Sequence, residues 1–151
     1  MQKIKSDTNN KITKLNNYKS LYKNGIVIIK RSFFKHNDGL KTCNKISKLT
    51  DKLIITLYKR SIAKREISSE DIIICAVGGY GREQLAPFSD LDILFIPKNE
   101  SMHVESFIKK ILYALWALGL KVGYAVRNID EVIESSRKDI IIQTSLLDLR
   151  W

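Results

Sequence analysis

Cysteine and histidine are scarce in this sequence of 151 residues, which holds two of each. Cys43 and Cys75 are too few for a disulfide scaffold, and neither stands in a CxxC or Cys/His spacing that would hold zinc. Long apolar runs are missing as well. None reaches the ~18–20 residues a membrane helix needs, and the opening MQKIKSDTNNK has no apolar signal core. A reducing cytoplasm with no membrane partner is therefore the expected setting. No internal repeat or low-complexity linker interrupts the chain. Acidic residues are nearly absent from the first half, where residues 1–65 hold 3 Asp/Glu against 17 Lys/Arg.

What is present describes an ordinary globular protein. Hydrophobic residues make up 44% and charged residues 28%, which excludes wholesale disorder. A chain of this length makes about one domain and buries roughly two thirds of its unfolded surface. The net charge of +10 is unevenly spread, because residues 66–151 reverse the balance with 9 Lys/Arg against 13 Asp/Glu. A basic half invites a nucleic-acid reading. However, 19 of the 26 basic residues are Lys, beside 22 Ile and 9 Asn. That is a compositional bias, and it favours a solvated helix face over a nucleic-acid site.

The basic half reads as helix. Residues 1–14 lack periodicity and are expected to form a flexible N-terminus. Leu15, Tyr18, Leu21, Tyr22, Ile26, Ile29, Phe33 and Phe34 make an amphipathic stripe, within which Gly25 costs about 1 kcal/mol against Ala and could interrupt the helix. His36-Asn37-Asp38-Gly39 is a stop signal. A second stripe follows through Leu40, Cys43, Ile46, Leu49, Leu53, Ile54, Leu57 and Tyr58, so residues 15–65 should form a helical hairpin. His36 lies at its turn with no catalytic role, and Cys43 should be a buried, inert thiol.

Strand and helix alternate in the acidic half. Ile72 to Val77 and Leu91 to Ile96 read as buried strands, His103 to Leu118 as a helix, and Lys121 to Arg127 as a third strand. Asn128 and Glu131 have the spacing of a capping box, and Ile140 to Leu149 is helical in character.

Chemistry concentrates in residues 78–92, GGYGREQLAPFSDLD. Gly78, Gly79 and Gly81 follow a strand directly, where backbone could approach a phosphate without Cβ interference. If Gly81 opens a helix, its N–H groups favour polyphosphate. Asp90 and Asp92, two apart at a strand, should share a face and could bridge hard divalent cations. Two metals ~3.5–4 Å apart suit in-line phosphoryl displacement. Ser89 could contact phosphate or orient Asp90. Asp92 stands among Leu91, Ile93, Leu94 and Phe95, where an unpaired carboxylate is costly.

This order of strand, glycine turn and Asp-x-Asp strand resembles the nucleotidyltransferase superfamily that includes DNA polymerase β and kanamycin nucleotidyltransferase. GGYGREQLAPFSDLDILF, LWALGLKVGYAVRNIDEV and DIIIQTSLLDLR resemble more closely the N-terminal catalytic domain of bacterial protein-PII uridylyltransferase, in that family's order across residues 72–150. The resemblance implies an α/β (α+β) polymerase β-type fold, with a small mixed sheet and helices over 66–151 preceded by the helical hairpin. It implies transfer of UMP from UTP to a tyrosine hydroxyl of a PII signalling protein. Asp90 and Asp92 would bind Mg²⁺, Gly78, Gly79 and Gly81 would shape the phosphate cradle, Ser89 would contact phosphate, and Arg82 could neutralise its charge.

The chain also departs from that pattern. Glu83 brings negative charge toward the cradle, and the third strand, KVGYAVR, supplies no carboxylate, leaving Asp130 and Asp148 as candidates for a third ligand. With no His-Asp pair, removal of UMP is not expected. The chain ends at Trp151, ahead of where the family's domain closes, so a truncated core with weak or no transfer activity is expected. An inactive remnant or interaction fragment is the alternative, and a nucleic-acid-binding module ranks third, because the hairpin's aromatics fall on its apolar stripe.

Overall fold

A computed structural model describes the backbone of residues 2–151 and the side chains of residues 16–151. Residues 2–14, within the segment expected to be a flexible N-terminus, have helical backbone as the start of a helix that runs Gln2–His36; residue 1 lies outside the described residues. Helix α1 (Gln2–His36) and helix α2 (Gly39–Ala63) form the hairpin. Asn37 reverses the chain at φ 51°. The Asp38 carboxylate then caps α2 by accepting from the Lys41 N–H at 2.9 Å, as a helix N-terminus requires. Gly25 does not break α1. A Cβ there would fall 2.7 Å from Leu49 Cδ2, so glycine lets α2 approach closely.

The seam between the two helices is narrower than their apolar stripes. Tyr22 and Ile29 of α1 and Ile46, Leu53, Ile54 and Leu57 of α2 are buried, while Leu21, Phe34 and Leu40 are exposed. Cys43 is half-buried rather than buried. The buried thiol is Cys75, whose pKa burial raises. Tyr22 and Thr50 pair their hydroxyls inside the seam at 3.1 Å.

Strands β1 (Ile72–Ala76), β2 (Leu91–Pro97) and β3 (Val122–Val126) form a sheet in the order β1-β2-β3. The β1–β2 pair is antiparallel and the β2–β3 pair parallel, so the sheet is mixed. Parallel pairing needs a crossover, supplied by helix α4 (Met102–Ala117) with Ser101 as its N-cap. The expected small mixed sheet with helices is the observed fold.

Alternation along β2 divides the core. Leu91, Ile93 and Phe95 join α4 and the hairpin in one continuous cluster. Leu94 instead packs with Cys75 and Val132, supported by Ala125 and Leu146. These contacts bring helices α5 (Ile129–Lys138) and α6 (Ile140–Leu147) onto the second face. The Asn128–Glu131 capping box that starts α5 is formed in both directions. Among the described residues, no helix is long and apolar enough to cross a membrane.

Candidate active site

Asp92 belongs to the second face of the sheet, so its neighbours Leu91, Ile93 and Phe95 point away from it into the other core. Its surroundings are glycines instead. Asp92 pairs in register with Gly123 on β3. A Cβ at 123 would fall 2.5 Å from Asp92 Oδ1, and one at Gly78 would fall 3.6 Å from Oδ2. Gly78 sits at φ +58°, a left-handed conformation that glycine adopts without cost. Asp90 lies just before β2 and is exposed. Burial, and then the charge of Asp90, raise the Asp92 carboxyl above its ordinary value. A half-buried carboxylate whose ionisation is made costlier by burial and by a neighbouring carboxylate fits a hard divalent cation.

The glycine turn differs from the expectation. The single-turn helix α3 (Gly78–Gly81) opens at Gly78 and closes at Gly81, so Gly81 does not start a helix. Gly81 donates to Val77 O at 3.0 Å, and a Cβ there would collide with the backbone carbonyl of Asp148. Its glycine serves packing. Gly79 has ordinary space, 3.6 Å from Gln84 O. Of the three glycines, Gly78 faces the Asp92 carboxylate.

Three further side chains are engaged elsewhere. The Ser89 hydroxyl donates to Ala86 O at 2.9 Å, within its own loop, and does not orient Asp90. Arg82 forms an ion pair with Asp148 at the end of α6. Glu83 accepts from Asn44 Nδ2 at 2.6 Å, which draws its charge toward α2. Asp130 sits in the first turn of α5. Among the described residues, no group of three or more His, Cys, Asp or Glu gathers to hold a metal, so neither Asp130 nor Asp148 completes a triad with the pair.

A cavity of about 310 Å³ adjoins the carboxylate, lined among others by Gly78, Asp92, Gly123, Arg127, Ser145 and Leu146. A larger groove of about 420 Å³ runs beside β1 past Ile54, Ile73 and Trp151. Its lining includes Asp51 but not Asp92, so the smaller cavity is the one that adjoins the candidate metal-binding carboxylate.

Comparison with known families decides what this strand, turn and carboxylate arrangement is. Residues 59–147 match the family described as "Nucleotidyltransferase domain". The chain belongs to that family. It is 42% identical over 132 residues to the bifunctional uridylyltransferase/uridylyl-removing enzymes of Phenylobacterium zucineum and Caulobacter vibrioides, covering 83% of this chain and 14% of each relative. Against the enzyme of that name from Azospirillum brasilense, identity is 49% over 85 residues, 56% of this chain and 9% of the relative. The chain thus spans about one seventh of the length of the first relatives.

Two residues flanking the matched nucleotidyltransferase span clamp its glycine turn; spacing assigned neither a role, although Arg150 ends the DIIIQTSLLDLR stretch. Arg150 bonds both Asp51 oxygens at 3.0 and 3.1 Å, and also Gly81 O and Tyr80 O, each at 3.1 Å. The Tyr80 hydroxyl donates to Asp51 at 2.6 Å, and burial first, then this carboxylate, push its pKa far up. Arg127 was missed as well. Its signal was present in strand alternation, which carries Gly123, Ala125 and Arg127 to the face of Asp92.

Proposed function

We propose that this nucleotidyltransferase domain binds UTP with Mg²⁺ at Asp90 and Asp92 and serves the transfer of UMP to a tyrosine hydroxyl of a PII signalling protein. The observation that carries the reading is the Asp92 carboxylate, set between Gly78 and Gly123 beside Asp90. In the transfer, the tyrosine oxygen bonds to the α-phosphorus and the bond to the bridging oxygen breaks. Pyrophosphate leaves and the phenolic proton is lost to solvent. Mg²⁺ held by the pair would supply charge neutralisation at the phosphates. The chain's own residues position. Gly78 and Gly123 leave room beside the carboxylate, and the Val77 N–H holds the Asp92 carbonyl at 3.2 Å. The Glu83 carboxylate is held by the Asn44 amide of α2.

One observation favours the alternative of an inert remnant or interaction fragment: Asp148, a candidate third carboxylate, is paired with Arg82. Thermal unfolding with millimolar Mg-UTP separates the two. At a hundredfold over Kd, binding adds about 2.7 kcal/mol, and Asp92→Asn should abolish the shift. A folded protein with no shift supports the remnant. Transfer of labelled UMP to a cognate PII protein then tests the finer claim.

A further inference from the structure

The cavity beside Asp92 has a polarity pattern that binding of phosphate alone does not use. Its floor is apolar, with Leu94 and Ala125 from the sheet facing Val132, Ile142 and Leu146 from the two covering helices. At one end stand Asp92 and Gly78. Toward the other is Arg127, the one cationic side chain among the lining residues. Arg127 is half-buried and has no carboxylate partner among the described residues. Its backbone is fixed, because its N–H donates to Phe95 O at 3.1 Å.

Gly123 is in register with Asp92, and Arg127 follows it by four residues, or about 13 Å along an extended strand. An apolar stretch between the Asp92 carboxylate and a guanidinium is a poor bed for an extended polyphosphate. It suits the flat, apolar faces of a nucleobase whose phosphates sit at the acidic end. Ser145 also lines the cavity. Its hydroxyl proton is committed to Ile142 O at 2.8 Å, so toward a ligand its oxygen accepts.

We infer that this cavity is the nucleobase subsite and that Arg127 is its specificity-determining residue, donating to a ring carbonyl while Ser145 accepts from the adjacent ring N–H. This rests on the reading of the site as a nucleotide site and goes beyond it. Uracil presents that carbonyl next to N–H pattern. With the contacts made to N3–H and the 4-carbonyl, cytosine presents a bare ring nitrogen and an amino group at those places, so two hydrogen bonds turn into two mismatches. Unpaired polar groups in a partly closed site are what make hydrogen-bond recognition selective.

The test is titration of the intact chain with Mg-UTP and Mg-CTP, for the parent, Arg127→Ala, Arg127→Lys and Asp92→Asn, with folding checked by circular dichroism. The parent should bind UTP at least tenfold tighter than CTP. Arg127→Ala should bring the ratio near one mainly by weakening UTP, with partial recovery in Arg127→Lys. Equal binding of both nucleotides by the parent, or a ratio unchanged in Arg127→Ala, overturns the subsite assignment while leaving the nucleotide site standing. If Arg127→Ala weakens both nucleotides equally, Arg127 is a phosphate contact and the inference also fails. No binding of either nucleotide by a folded parent overturns both readings together.

Discussion

Asp92 of β2 and Gly123 of β3 face each other across a parallel register pair, with the carboxylate oxygen occupying the place a β-carbon at 123 would need. The third strand, KVGYAVR, therefore contributes to the site by an absence of side chain and not by a carboxylate. Gly123→Ala should push Asp92 out of position and raise the Kd for Mg-UTP at least tenfold. The change from Gly to Ala in a strand carries little penalty of its own, so the melting temperature should stay close to the parent's. Isothermal titration measures the first effect and calorimetry the second; parental affinity would show that the carboxylate is not confined there.

The raised pKa of Asp92 has a definite consequence for stability. Between the carboxyl's ordinary value of 3.8 and its higher folded value, the native state binds more protons than the unfolded state. Stability therefore falls as pH rises through that window, and the loss is complete above the folded value. Asp92→Asn removes the ionisable group, so in metal-free buffer at pH 7 the variant should melt above the parent. The gap should close as pH is lowered toward 3.8. Mg-UTP should reverse the order by stabilising the parent alone. A variant that melts lower than the parent at pH 7 without metal would show that Asp92 is a structural carboxylate.

Local pattern and long-range partnership were not equally legible. The hairpin turn at Asn37-Asp38, the strands around Ile74 and Ile93, and the Asn128–Glu131 box all depend on neighbours within a few residues, and each was readable from spacing. The roles of Arg82, Glu83 and Gly81 depend on partners 66, 39 and 67 positions away, which no motif window contains. Asp51 and Arg150 are 99 apart. The apolar stripes of α1 and α2 were drawn too wide for a similar reason. Periodicity gives the face of a helix, but the partner decides how much of that face is covered, so Leu21 and Phe34 remained in solvent.

Gly25 and Leu49 provide a test of the hairpin seam. Replacing Gly25 by Ala gains about 1 kcal/mol of helix propensity, but its Cβ would fall within 2.8 Å of both Leu49 methyl carbons. The Leu49 side chain must move, and the two effects oppose each other. Gly25→Ala should be nearly neutral in the parent and stabilising by about 1 kcal/mol in a Leu49→Ala background. Urea denaturation of the four proteins closes the cycle. Identical effects in both backgrounds would mean that the helices do not meet at this point.

Gly79 and Gly81 share one turn, yet they should respond in opposite ways to the same substitution. A Cβ at Gly81 would overlap the carbonyl of Asp148 and lie 3.0 Å from that of Ala76. Both are backbone atoms and neither can swing aside. Ala76 and Arg150 are locked by paired hydrogen bonds of 2.7 and 3.0 Å, and Arg150 Nε reaches Gly81 O at 3.1 Å. Relief would require breaking that bridge, so Gly81→Ala should cost about 3 kcal/mol, the upper range for overpacking. Gly79→Ala meets only an ordinary contact at 3.6 Å and should stay within about 0.5 kcal/mol of the parent. Denaturant unfolding distinguishes them directly. If the glycines instead formed a uniform phosphate cradle, both variants would keep their stability and lose Mg-UTP affinity together, and that outcome would overturn the packing role assigned to Gly81.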